Sequence, residues 1–273
     1  MTFLEKRGFC AIKPHTFAPC KKTHSFIGMT DDERQIRQTV RRFQKGVTRY
    51  GLIEDGDRIL IGLSGGKDSL ALLELMAERT RIFKPCFQVV AAHITMSNIG
   101  YESDPGYLQD FAQKVGVKYV CREAGFDASG DWRKSPCFLC SWNRRKALFQ
   151  IAHEEKCNKI ALGHHMDDIL ETLLMNITFQ GTFSTMPPLL RMNKFDMTVI
   201  RPLCLVHESD LREWARIKGY RPQKVKCPHE HQSHRASVKQ ILRQLEEMNP
   251  EARYSLWGSM TSVQTELLPP KSE

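Results

Sequence analysis

Between residues 30 and 50 apolar positions recur every three to four residues, with Ile36, Val40, Phe43 and Val47 on one stripe. That spacing predicts an amphipathic helix. Thr30 caps it, and Asp31, Asp32 and Glu33 put negative charge in its first turn. Arg34, Arg37, Arg41, Arg42, Lys45 and Arg49 fall outside the stripe, a basic face suited either to solvent or to phosphates. From Arg58 the pattern alternates between strand and helix. Strands are expected over 58–63, 88–94, 117–121, 159–162 and 198–203, with helices over 68–80, 105–115, 141–156 and 166–179. This order predicts an α/β fold, a Rossmann-like parallel sheet with helices on both faces. Further helices are expected over 208–219, 235–248 and 251–267. Residues 1–28 lack a period and read as a poorly ordered extension to one unit over 29–273.

The first strand empties into Ser64-Gly65-Gly66-Lys67-Asp68-Ser69. Two glycines let the backbone bend and approach a ligand closely, and the amides opening the next helix make an anion site. Lys67 adds a point charge, and Ser64 and Ser69 add hydroxyls. The spacing is not that of the mononucleotide P-loop, which needs four residues before its Gly-Lys and then Ser or Thr. Here three residues separate Gly62 from Gly66, and Asp68 follows Lys67. The plain alternative is an ordinary strand–turn–helix bend. A second turn, Gly163-His164-His165-Met166-Asp167-Asp168, belongs beside the first in a sheet of this kind. Asp167 or Asp168 there suits a nucleotide's Mg2+, directly or from the second shell of ligands, although acids in a first helical turn also act simply as caps. Adjacent histidines point about 100° apart on a helix, which disfavours a zinc chelate.

Composition and cysteines narrow the chemistry. A formal charge of +9 over 273 residues admits a polyanionic partner, nucleic acid foremost. No apolar run approaches the length of a membrane span, so no membrane partner is expected. Nine cysteines without a secretory signal point to a reducing, cytoplasmic setting. Cys86, Cys121, Cys157 and Cys204 lie in or beside apolar elements and are expected as buried thiols. Cys137 and Cys140, in Pro136-Cys137-Phe138-Leu139-Cys140, are spaced to bite one metal or one cluster, just ahead of a helix with Arg144, Arg145 and Lys146. Alone the pair fits dithiol redox chemistry, structural zinc or an iron–sulfur cluster. Cys227, close to His229, His231 and His234, is a third thiol placed to fold back. Arg133, Lys134 and the basic residues at 144–146 suit RNA phosphates, and Trp132 and Trp142 suit base stacking or a core.

The hexapeptide at 64–69 has the SGGKDS form of the PP-loop, and the likeness extends from Thr30 to the C-terminus. Cys137-Phe138-Leu139-Cys140 with Arg144-Arg145, the run from Ala161 to Thr172, Met186-Pro187-Pro188, Ile200-Arg201-Pro202-Leu203 and Cys227 follow in order and spacing. On these residues the chain resembles the tRNA 2-thiocytidine synthetases (TtcA-type), PP-loop ATPases of the HUP or adenine nucleotide alpha hydrolase fold. The resemblance implies ATP binding by Ser64, Gly65, Gly66, Lys67, Asp68, Ser69, Gly163, Asp167 and Asp168, with Mg2+. It implies a [4Fe-4S] cluster on Cys137, Cys140 and Cys227, and catalytic roles for these cysteines and Asp68. The implied reaction adenylates the C2 oxygen of a tRNA cytidine, position 32, and replaces it with sulfur. The implied partners are tRNA, a sulfur donor such as a cysteine desulfurase, and a second copy in a homodimer. One departure matters: Glu230 stands where the family carries the second cysteine of a later CxxC pair. The three assigned ligands are untouched, but the histidines beside Cys227 keep a Cys3His zinc centre as the alternative. Another acceptor, such as a uridine or a carboxylate, and a nucleotide- or RNA-binding module also stay open.

Overall fold

The computed structural model describes residues 28–97, 103–125, 136–193, 196–222 and 234–269, the side chains of Pro136 and Cys137 excepted. All of the expected 1–28 extension except Gly28, together with Trp132, Arg133, Lys134 and Cys227, lies outside the described residues.

Helix α1 (Asp31–Arg49) opens on the expected cap, where Thr30 and Glu33 exchange side-chain and backbone hydrogen bonds. Strand β1 (Arg58–Gly62) follows, flanked by β2 (Gln88–Met96) on one side and β4 (Lys159–Ala161) on the other. With β3 (Lys118–Ala124), β5 (Leu189–Arg191) and β6 (Thr198–Ile200), the sheet order is β3-β2-β1-β4-β6-β5. Alternation along β1 divides the core. Ile59 and Ile61 pack with Phe43 of α1, Leu72 of α2 (Lys67–Thr80), Leu108 of α3 (Pro105–Lys114) and Trp214 of α6 (Glu208–Ile217). Leu60 points to the other face, toward Ala147 and Ile151 of α4 (Pro136–Glu154). All three β1 side chains are fully buried, each stabilising the fold by about 1.5–3 kcal/mol. A third cluster joins α5 (Met166–Gln180) to α7 (Arg235–Met248) and α8 (Ala252–Ser259).

The chain winds outward from β1 to β3 and then restarts on the other side at β4. The order therefore reverses between β1 and β4, and the crevice beyond their carboxyl ends is the expected ligand position. Four features differ from expectation. β5 pairs antiparallel to β6, adding an edge strand too short and too exposed to show alternation. α4 begins at Pro136, because proline fits the first helical turn, so Cys137 and Cys140 belong to the helix rather than preceding it. α8 stops at Ser259, and only a short 3-10 turn covers Thr265–Leu267. Cys157 and Cys204 are buried as expected, whereas Cys86 and Cys121 are exposed, one in the loop before β2 and the other on the edge strand β3. No described helix is long and apolar enough to cross a membrane.

Candidate active site

Beyond β1 the backbone turns through Gly65, whose φ of +91° only glycine adopts without strain. Ser69 braces the bend. Its Oγ donates to Gly66 O at 2.9 Å and accepts from Gly65 N–H at 3.2 Å, and it lies 3.2 Å from Ser64 Oγ. His93, fully buried on β2, braces it from below: Nδ1 donates to Leu63 O at 2.7 Å, leaving Nε2 to accept from Ser103 Oγ at 2.8 Å. Burial first, and Arg144 in addition, hold this histidine below its ordinary pKa against the Leu63 bond, which keeps it neutral. Nothing in the local sequence distinguishes His93 from an ordinary core residue.

The second turn lies against the first. A Cβ on Gly163 would come within 3.2 Å of Ser69 N and 3.3 Å of Asp68 C and O, so the glycine is what lets the two turns meet. After it, His165 caps α5 and exchanges bonds with Asp168: its N–H donates to Asp168 Oδ2 at 3.2 Å. The adjacent acids then diverge. Asp168 lines the crevice and accepts from Arg235 at 3.3 Å. Asp167 is buried, ion-paired with Arg253 of α8 and accepting Glu208 N–H at 2.8 Å. Although burial opposes it, hydrogen bonds from His165 and Arg253 hold the Asp167 carboxyl far below the usual carboxylate range.

Between the turns and α4 is a cavity of about 530 Å3. It is lined by Ser64, Asp68, Ser69, His164 and Asp168 of the two turns and by Cys140, Arg144 and Arg145 of α4. Asp68 Oδ1 is buried without a hydrogen bond, although Lys67 Nζ lies 3.0 Å away and bonds the other oxygen at 3.2 Å. Lys67 also reaches Glu208 at 3.8 Å, so in this state the acids hold it at the edge of the turn. His164 Nδ1 is likewise buried and unpartnered. Burial, then the charge of Arg201, push its pKa down to about 4. Arg201 itself is 7% exposed, donates to Pro187 O at 2.6 Å, and keeps a buried Nε without a partner. Burial chiefly, then repulsion from Arg145, lower its pKa. Phe138 and Trp142 stand half exposed on α4, with Lys146 Nζ 5.5 Å above the Trp142 ring. Of the expected site residues, the structure thus brings Ser64, Asp68, Ser69, Gly163, Asp168 and Cys140 together on one cavity. Gly65 and Gly66 form the bend behind it, while Lys67 and Asp167 are engaged in ion pairs.

Comparison with known proteins gives this arrangement a context. The PP-loop domain profile matches residues 30–224. A relative named tRNA-cytidine(32) 2-sulfurtransferase, from Syntrophotalea carbinolica, is 34% identical over 242 residues, covering 85% of this chain and 92% of that protein. Its namesake from Geotalea daltonii is 35% identical over 230 residues, covering 82% and 90%. Among solved structures, the U34-tRNA thiolase NcsA from Methanococcus maripaludis with its [4Fe-4S] cluster superposes with a TM-score of 0.72. It is 26% identical and covers 87% of this chain and 84% of its own. By fold, by site and by this likeness over most of its length, the chain belongs to the tRNA-cytidine(32) 2-sulfurtransferase family of PP-loop, ATP-utilising transferases.

Proposed function

We propose that this chain uses ATP to replace the C2 oxygen of a tRNA cytidine, at position 32, with sulfur. The observation that carries the reading is one cavity lined both by the PP-loop and by Cys140. The turn at 64–69 receives the phosphates, with helix amides and the Ser64 and Ser69 hydroxyls as donors. Lys67 swings from Asp68 and Glu208 onto them as a mobile countercharge. Asp68 and Asp168 fit Mg2+: the first offers a buried carboxylate oxygen with no hydrogen-bond donor, and both line the cavity. Asp167 works from behind, through Arg253, to fix the second turn.

The base's C2 oxygen attacks the α-phosphorus, forming an O–P bond as the bond to pyrophosphate breaks. A sulfide then attacks C2, and AMP leaves with the original oxygen. Electron pairs balance without an external oxidant, and adenylation converts a poor leaving group into a good one. The Cys140 thiol in the cavity wall is a soft donor that suits iron. Cys137, Cys140 and Cys227 would hold a [4Fe-4S] cluster, which supplies sulfur in a controlled form beside the base. Residues 29–273 act as one unit, in the cytoplasm, with a cysteine desulfurase as sulfur donor and a homodimer as the working assembly.

The test is anaerobic reconstitution with iron and sulfide, then incubation with unmodified tRNA, ATP and Mg2+. Thiolated cytidine by nucleoside mass spectrometry, with tRNA-dependent AMP and pyrophosphate, is the expected result. Release of ADP, or a protein that takes zinc and no iron, would overturn it. Thiolated uridine would instead align the chain with NcsA, the U34-tRNA thiolase.

A further inference from the structure

The +9 charge of the chain is not spread evenly. On α1, Arg34, Arg37, Arg41, Lys45 and Arg49 are all exposed. At 100° per residue they fall within an arc of about 120°, and at 1.5 Å per residue they run for about 22 Å. Phe43 and Val47 bury the opposite face of the helix. The helix's own acids do not neutralise the stripe, because Asp31, Asp32 and Glu33 are confined to the first turn. Asp32 is taken by Arg216 and Glu33 by the cap, so only Asp31 reaches a member of the stripe, Arg34 at 2.9 Å. Arg42, off the stripe, turns inward to Asp210 at 2.5 Å. Among the described residues no acid lies within ion-pair reach of Arg37, Arg41 or Lys45. A shallow cleft of about 730 Å3 lies along these three and Arg34.

We infer that this stripe is a docking surface for the sugar–phosphate backbone of tRNA, outside the cavity that receives the base. The inference rests on the tRNA reading above. A row of cations with spare charge suits a polyphosphate track better than a compact acidic protein, since each neutralised phosphate releases counterions. The chain's own first 27 residues are a poor occupant by charge: they hold Lys6, Arg7, Lys13, Lys21 and Lys22 against one acid, Glu5. The stripe is also joined to the site. α1 packs on α6, whose first residue, Glu208, pairs with Lys67. Gly46 of α1 would place a Cβ 3.2 Å from Pro202 O, one residue after Arg201.

The test compares the reconstituted full chain with the variant Arg37→Gln/Arg41→Gln/Lys45→Gln, glutamine being a good helix former. An Arg81→Gln/Lys114→Gln/Lys156→Gln variant, exposed cations elsewhere, serves as the control. Binding of labelled, unmodified tRNA is measured across a salt series. The α1 variant should lose about two to three in the slope of log K against log salt, and roughly tenfold or more in affinity near physiological salt. ATP affinity and melting temperature should match the parent, and the control should keep the parent's slope. An α1 variant with the parent's slope and affinity assigns the stripe to another partner and overturns the inference alone, as does an equal loss in the control. A parent protein that neither binds nor thiolates tRNA removes the inference together with the functional reading.

Discussion

Gly163 and Gly66 lie on the two turns that meet at the site, and the structure gives them different reasons to be glycine. A Cβ on Gly163 meets backbone atoms at 3.2 and 3.3 Å, which belong to the opening turn of α2 and cannot rotate away. Gly163→Ala must therefore push α2 from the second turn by a few tenths of an ångström. Overpacking of this kind costs about 1–3 kcal/mol. At about 2–4 °C per kcal/mol for a chain of this size, melting should fall by roughly 2–12 °C. Gly66 has φ −71°, and its Cβ would meet only Ser64 Oγ at 3.6 Å, an ordinary contact. Gly66→Ala loses a few tenths of a kcal/mol at the helix cap and recovers a similar amount by restricting the unfolded chain. Its stability should stay near that of the parent. Its methyl group, however, occupies the bend where phosphate oxygens approach the amides, so ATP affinity should drop about tenfold or more, worth about 1.4 kcal/mol per decade. Thermal melts and calorimetric titration with Mg2+-ATP separate the two effects. The reasoning fails if Gly163→Ala melts with the parent, or if Gly66→Ala unfolds early yet binds ATP normally.

Three further outcomes follow from the ion pairs and the thiols. Arg253→Met leaves the buried Asp167 carboxylate without its countercharge and should cost about 3–5 kcal/mol in urea unfolding; a loss below about 1 kcal/mol would show that water replaces the guanidinium. His164 is held at about 4 by burial and by Arg201, so the folded state resists protonation while the unfolded chain, near 6.5, does not. Stability should decline as pH falls from about 6.5 to about 4, by about 3 kcal/mol at 1.4 per tenfold in proton affinity, and then level off. His164→Asn should flatten that part of the profile, and an unchanged profile would contradict the assignment. Cys140→Ser should abolish iron uptake and thiolation while ATP binding persists; iron retained in full would remove Cys140 from the ligand set.

The first strand, its glycine turn and α2 were legible because two local signals coincide: a continuous apolar run and a bend that demands glycine. The placement of the second turn was legible from topology, since parallel crossovers bring it to the reversal point. Short-range pattern could not distinguish Asp167 from Asp168. They differ by one helical step, and their fates depend on Arg253 and Arg235, far along the chain. The same limit hid His93 and His164, whose surroundings come from segments distant in the chain. β5 escaped because three half-exposed residues after Pro187-Pro188 carry no alternation, only a place beside β6. The start of α4 escaped because proline before the thiols reads as a loop, although it suits a first helical turn.

The central claim is that the oxygen removed from the base leaves on AMP. It is tested most directly by placing heavy oxygen at C2 of the target cytidine, running a single turnover with the reconstituted protein, and weighing the AMP. The account requires the label in the AMP phosphate and sulfur in the base. Unlabelled AMP alongside thiolated cytidine, with the label released to water, would mean that sulfur enters without adenylation of that oxygen.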